Sequence, residues 1–324
     1  MVNRIVQALA ILIAALAAAG QALADEFPSK PIRVVVPFSA GSTPDIGIRK
    51  ITEKLREGLG QTVIVDNRPG ANGFIAAEAV AKSPADGYTL LLATASMLCA
   101  NPSLFTSIPY DPVKDFSPIT MGAGGQPILL VKPAFPARSL RELIAHAKAH
   151  PGKVTYASPG IGSAQHLAME LLGQLAGIEM LHVPYKSSSQ ILADLIGGQI
   201  DATVEFASMA TPLIQSGKVR ALAIVGDHRK PVLPDIPTAV EAGLPGFEIN
   251  AWYGYLAPAA TPKDVIQKLN KAFTAALRSK EFTDFVEGFG STVFANTPEE
   301  FAARIRSERS LWAGVIQKAG VRLD

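Results

Sequence analysis

Ile32, Val34, Val35 and Val36 form a β-branched run between Pro31 and Pro37, a pattern that predicts a buried strand. Five small residues follow, Ser39-Ala40-Gly41-Ser42-Thr43, and then a helical pattern with Ile46, Ile51 and Leu55 on its apolar face. Gly58 and Gly60 end that helix. At its start Thr43 is placed to cap, Pro44 suits the first helical position and Asp45 complements the positive end of the dipole. The pattern then reads strand at 62–66, loop at 67–73, helix at 74–82 and strand at 88–94. This β-α-β-α-β alternation predicts a mainly parallel sheet covered by helices. In such sheets ligands sit beyond the carboxyl ends of strands, here the loops after Val36 and Leu92.

Residues 101–121 hold four prolines and read as an irregular connection. An apolar strand is expected at 127–132. A helix at 139–150 follows, opened by Ser139 with Glu142 three residues on and stopped by Pro151-Gly152. The opening arrangement then recurs: a strand at 153–157, a Ser/Gly/Pro turn from Ser158 to Ser163 and a helix at 164–175. Strands at 179–183, 200–204 and 219–225 and a helix at 190–196 come next. Residues 247–256 are aromatic-rich and extended, and amphipathic helices are expected at 264–278 and 297–318. The resulting plan is two α/β lobes, the second inserted into the first. Residues 25–126 and 251–324 make lobe 1, and residues 127–250 make lobe 2.

Composition fits this plan. The chain has 324 residues, 48% of them hydrophobic and 18% charged, enough apolar content for two real cores. A formal net charge of +2 leaves no basic surplus for nucleic acid. Arg4, the apolar stretch 5–19 and Ala22-Leu23-Ala24 read as an export signal cleaved after Ala24, with an uncleaved anchor as the alternative. The mature chain is then expected in the periplasm, without membrane insertion and as a monomer. Cys99 is the single cysteine. Its apolar neighbours predict a buried thiol, and a reactive nucleophile is the other reading.

Several chemistries lose support. Gly160-Ile161-Gly162 lacks the third small residue of a dinucleotide fingerprint, since Gln165 stands there. Phosphate-loop and nucleophile-elbow patterns do not occur. His146 and His150 are four apart, but Ala147-Lys148-Ala149 between them removes the metalloprotease glutamate. No metal or cofactor is therefore expected. What remains is a strand, a small polar loop and a helix start, made twice. Each exposes unpaired backbone N–H groups suited to an anion.

Taken in order, the motifs resemble one family. They lie at 31–45, 67–73 (Asn-Arg-Pro-Gly-Ala-Asn-Gly), 86–90, 110–116, 156–160, 183–186 (Val-Pro-Tyr-Lys), 198–201, 233–238, 241–243 and 258–262. The chain resembles the solute-binding proteins of tripartite tricarboxylate transporters, the Bug family of extracytoplasmic receptors. The resemblance implies a two-lobed α/β Venus-flytrap fold, each lobe a mixed sheet flanked by helices. It implies capture of a small carboxylate for delivery to the transporter's membrane components. It places the ligand between Phe38, Ser39, Gly41, Ser42, Thr43 and Asp45 on one side and Ser158, Gly160, Gly162, Ser163 and His166 on the other. Tyr185, Lys186 and Ser187 to Ser189, among which Tyr185, Ser187 and Ser188 are the main candidates, become rim residues. The chain departs from the family pattern at Ser42, Pro44 and Ser187. Trp252 and Tyr253 either line the cleft or pack a crossover strand. Two other readings stay open: an exported α/β hydrolase acting on a small acid through a Ser/His pair, and a ligand-sensing lobe for a membrane receptor.

Overall fold

The computed structural model describes residues 27–323 apart from Lys186 and Phe289. The expected signal segment, 1–24, lies outside the described residues. The chain opens with β1 (Ile32–Val36), α1 (Thr43–Leu59), β2 (Val63–Asn67), α2 (Phe74–Ala81) and β3 (Thr89–Thr94). β1 runs parallel to both β2 and β3, with Val34 opposite Val65 and Leu90. Both faces of β1 are covered, which is why its apolar run is continuous. Val35 enters one core cluster, while Ile32, Val34 and Val36 enter another beneath α1.

A wide, π-type helical turn at 96–100 leads into α3 (Asn101–Leu104) and then β4 (Phe116–Gly125). The prolines of 101–121 predict an irregular connection, yet residues 116–121 belong to a ten-residue strand. Pro118 is tolerated there because the pairing with the neighbouring strand shifts register beside it. A residue without an N–H is accommodated where the ladder is already interrupted.

The second sheet is built from β5 (Ile128–Val131), α4 (Leu140–Ala149), β6 (Thr155–Ser158), α5 (Ala164–Ala176), β7 (Leu181–Pro184), α6 (Ser188–Ile196), β8 (Ala202–Glu205), α7 (Ala207–Gln215) and β9 (Arg220–Ile224). Its order is β7-β6-β8-β5-β9, with β6 parallel to β7 and β8, and β5 antiparallel to β8 and β9. The chain then returns through β10 (Ala251–Pro258), α8 (Lys263–Leu277), α9 (Lys280–Gly288), β11 (Thr292–Val293) and α10 (Pro298–Ala319). β10 inserts antiparallel between β3 and β4, completing a six-stranded sheet of order β11-β4-β10-β3-β1-β2.

The protein is thus two-lobed, with two mixed sheets flanked by helices. α10 starts with a capping box made by Thr297 and Glu300. It packs across to α5 of the second lobe, where the Gln174 side-chain amide donates to the Val315 carbonyl at 2.9 Å. One apolar cluster consequently runs from Val35 and Leu91 through Trp312 to Leu129 and Tyr156.

Candidate functional site

Between the sheets lies a cavity of about 680 Å³ whose walls come from both lobes. Phe38, Thr43 and Trp252 belong to one side, and Gly162, Ser163 and Phe206 to the other. None of the described residues that line it is charged.

The first wall is the loop between β1 and α1. Gly41 adopts φ 84°, so the chain can reverse there. Ser42 is the N-cap in extended conformation, and its side chain makes no capping hydrogen bond. Thr43 is therefore the first helical residue and not the cap expected for it, and Pro44 is the second. The capping contact runs the other way. The Asp45 carboxylate accepts from Gly41 N–H at 2.8 Å, from Arg49 Nε at 3.1 Å and from Asn67 Nδ2 at 2.8 Å. Burial would push this carboxyl up, but the Arg49, Asn67 and Gly41 hydrogen bonds prevail and hold it below the usual range. Asp45 is 1% exposed and does not line the cavity. It holds the loop's shape from below. Ser39, Gly41 and Ser42 are likewise off the wall, because the loop turns Pro37, Phe38 and the helix start toward the cleft.

The second wall is the turn between β6 and α5. Ser163 is a true N-cap, accepting from His166 N–H at 3.2 Å and donating to the Gly160 carbonyl at 2.7 Å. Gly162 N–H donates to His166 Nδ1 at 3.2 Å. The Ser158 hydroxyl lies 2.7 Å from His182 Nε2 and 3.0 Å from the Gly160 carbonyl. Gly162 and Ser163 line the cavity, whereas Ser158, Gly160 and His166 do not. Ser158 and His166 are buried beneath the turn, where Tyr156, His166 and His182 pile into one ring cluster. Ser158 and His182 are within hydrogen-bond reach, the geometry a hydrolase would need. Ser158 is fully buried, however, and does not face the cavity.

The expected rim residues face elsewhere. The Tyr185 hydroxyl donates to Asp194 at 2.7 Å, Ser187 caps α6, and Ser188 is the first residue of that helix. None of the three lines the cavity. Lys186 is outside the described residues. Trp252 serves both roles open to it: its indole N–H donates to Glu308 at 2.8 Å in the core, and it also forms cavity wall, as does Tyr253. Cys99 is 1% exposed, and burial pushes its thiol far up, which makes it inert.

Sequence reasoning missed Asn72, Met97, Asn101, Leu104, Trp312 and Leu323 as wall residues. For Asn72 a signal existed, since its loop follows β2 at the same sheet end as the first wall. Met97 had one too, since it follows β3, whose carboxyl end is an expected ligand position, while Leu104, Trp312 and Leu323 are brought in by packing.

The ring cluster makes stability pH-dependent. Burial and then the neighbouring His166 depress His182 to about 4, below its ordinary 6.5. Between those values the unfolded chain binds the extra proton, so stability falls as pH drops from about 6.5 to 4. The expected loss from this one group is about 2–3 kcal/mol. Urea titrations across that range, on wild type and on His182→Gln, measure it. The variant's slope should be shallower, and an identical slope would refute this account.

Residues 48–321 match the tripartite tricarboxylate transporter family receptor. The chain belongs to this family. It is 38% identical over 323 residues to protein BugT of Bordetella pertussis, covering 99% of each chain. Among solved structures it is similar to a Rhodopseudomonas palustris protein with adipate, at 34% identity and TM-score 0.76, covering 92% of this chain and 99% of that one. MatC from the same organism with bound malate is 34% identical with TM-score 0.73, covering 90% of this chain and 100% of that one. Family membership makes the protein a solute-binding receptor of a transport system and not an enzyme.

Proposed function

We propose that the cleft captures a small organic carboxylate and that the closed protein delivers it to the membrane components of a tripartite tricarboxylate-type transporter. The observation that carries this reading is the convergence of two helix starts, Thr43 of α1 and Ser163 before α5, on one cavity without a charged wall residue among those described. First-turn N–H groups have no partner within their own helix. Each terminus acts as roughly half a positive charge, so two together complement one carboxylate. Closure then strengthens these bonds by removing water. Relatives solved with adipate and malate support the ligand class. The receptor works in the periplasm as a monomer after cleavage behind Ala24, and its lobes hinge at residues 126–127 and 250–251. Calorimetric titration of the mature chain with mono-, di- and tricarboxylates and their amides tests the proposal. Binding without turnover is expected, with amides at least tenfold weaker. Equal binding of acid and amide, or no carboxylate bound at all, would overturn it.

A further inference from the structure

Four consecutive residues in the turn beside the cleft have positive φ: Gly70 at 111°, Ala71 at 45°, Asn72 at 51° and Gly73 at 87°. Two of them are not glycine, and an L-residue there carries a steric penalty. Such strain persists only where surrounding structure enforces it, and it gathers at ligand clamps. Here the enforcement is visible. Gly73 N–H donates to the Gly70 carbonyl at 3.0 Å. A Cβ on Gly73 would come within 2.5 Å of the Met97 sulfur, so the turn is pressed against that side chain. The Asn72 carbonyl accepts from Asn101 Nδ2 at 3.2 Å, and Asn101 is itself 4% exposed.

The turn stands beside the first helix start. β2 pairs with β1, and Asn67 Nδ2 donates to the Asp45 carboxylate at 2.8 Å and to the Phe38 carbonyl at 3.0 Å. The loop after β2 is thereby tied to the loop after β1. Gly70, Asn72 and Gly73 line the cavity together with Met97 and Asn101. Of the four turn residues, Asn72 alone has a side chain that can hydrogen-bond. It is exposed, and no described residue bonds its amide.

We propose that Asn72 is a specificity-determining residue that reads a second polar group on the ligand, beyond the carboxylate held at the helix starts. This rests on the carboxylate reading above and narrows it. A side-chain amide donates and accepts at once, so it matches a second carboxylate or a hydroxyl. The ligand class is then the dicarboxylates and hydroxy acids, with simple monocarboxylates disfavoured. The strained turn holds the Asn72 backbone, through its carbonyl bond to Asn101, beside the cleft before the ligand arrives.

Asn72→Gly separates this role from a structural one. Glycine suits φ 51°, so the fold should melt at the same temperature or higher while the amide is gone. The probes are adipate against hexanoate and malate against butyrate, titrated by calorimetry into wild type and variant. Wild type should bind each diacid at least tenfold more tightly than its monoacid. The variant should lose at least tenfold for the diacids and stay within twofold for the monoacids. The proposal is overturned if the variant keeps its diacid affinity, if it loses both classes equally, or if wild type binds the monoacids as tightly as the diacids. A wild type that binds none of the four acids overturns this proposal, and the carboxylate reading falls with it only if the wider mono-, di- and tricarboxylate panel also fails to bind, which keeps the two failures apart.

Discussion

Replacing Thr43 with tryptophan is expected to weaken carboxylate binding at least a hundredfold, about 2.7 kcal/mol, while the folded state is nearly unaffected. Thr43 is exposed, is the first residue of α1 and lines the cavity. Its hydroxyl makes no capping contact, because Ser42 holds the N-cap position. The substitution therefore removes no native hydrogen bond and changes helix propensity by only a few tenths of a kcal/mol. The indole would project over the first-turn N–H groups that a carboxylate needs. It would also hold the second wall, at Gly162 and Ser163, away from closure. Calorimetry and urea denaturation on the same preparation check both halves. An affinity within threefold of wild type would remove the α1 start from the site.

Asp45→Ala is expected to cost about 3 kcal/mol of stability and to weaken ligand binding at least tenfold. The buried carboxylate is the common acceptor for Gly41 N–H, the Arg49 guanidinium and the Asn67 amide. Its loss leaves three donors without their acceptor at once, two of them in the loop and strand that support Phe38. Arg49 is half exposed and can turn to water, which keeps the cost below that of a wholly buried pair. Binding suffers although Asp45 touches no ligand, because the reversal at Gly41 is what aims the helix start at the cleft. Asp45→Asn keeps one acceptor oxygen and should lose about half as much stability. The pH dependence has a definite sign. The folded carboxyl lies below its ordinary range, so its contribution is full above that range and fades as pH falls through the folded value. The alanine variant should lack that acidic component. Urea midpoints at several pH values test this, and unchanged stability at neutral pH would refute it.

These two substitutions mark where local pattern stopped being informative. Thr43 and Asp45 stand two residues apart in one helix start, and composition treats both as polar residues near an anion site. The structure sends one to the cleft and the other beneath it. Asp45 folds inward because Arg49 lies one helical turn on and Asn67 ends the adjacent strand, and the second of these is a long-range partner. Serine and histidine in the second turn behave alike. Ser163 caps α5 at the wall, while Ser158 and His166 are drawn under it by His182, sixteen residues beyond His166 in the chain.

By itself the sequence determined the two strand–turn–helix units, the α/β class of the fold, and the family. Those depend on periodicity, turn chemistry and capping, all of which act within about a dozen residues. Tertiary structure alone decided which polar side chains reach the cleft. It brought Trp312 and Leu323 from the far end of the chain to the wall and threaded Pro118 into a strand beside a register shift. It also put the strained Asn72 next to the first helix start. The physical reason is that a side chain's direction at a turn follows from which distant donors and apolar surfaces compete for it, and periodicity along the chain carries no record of that competition.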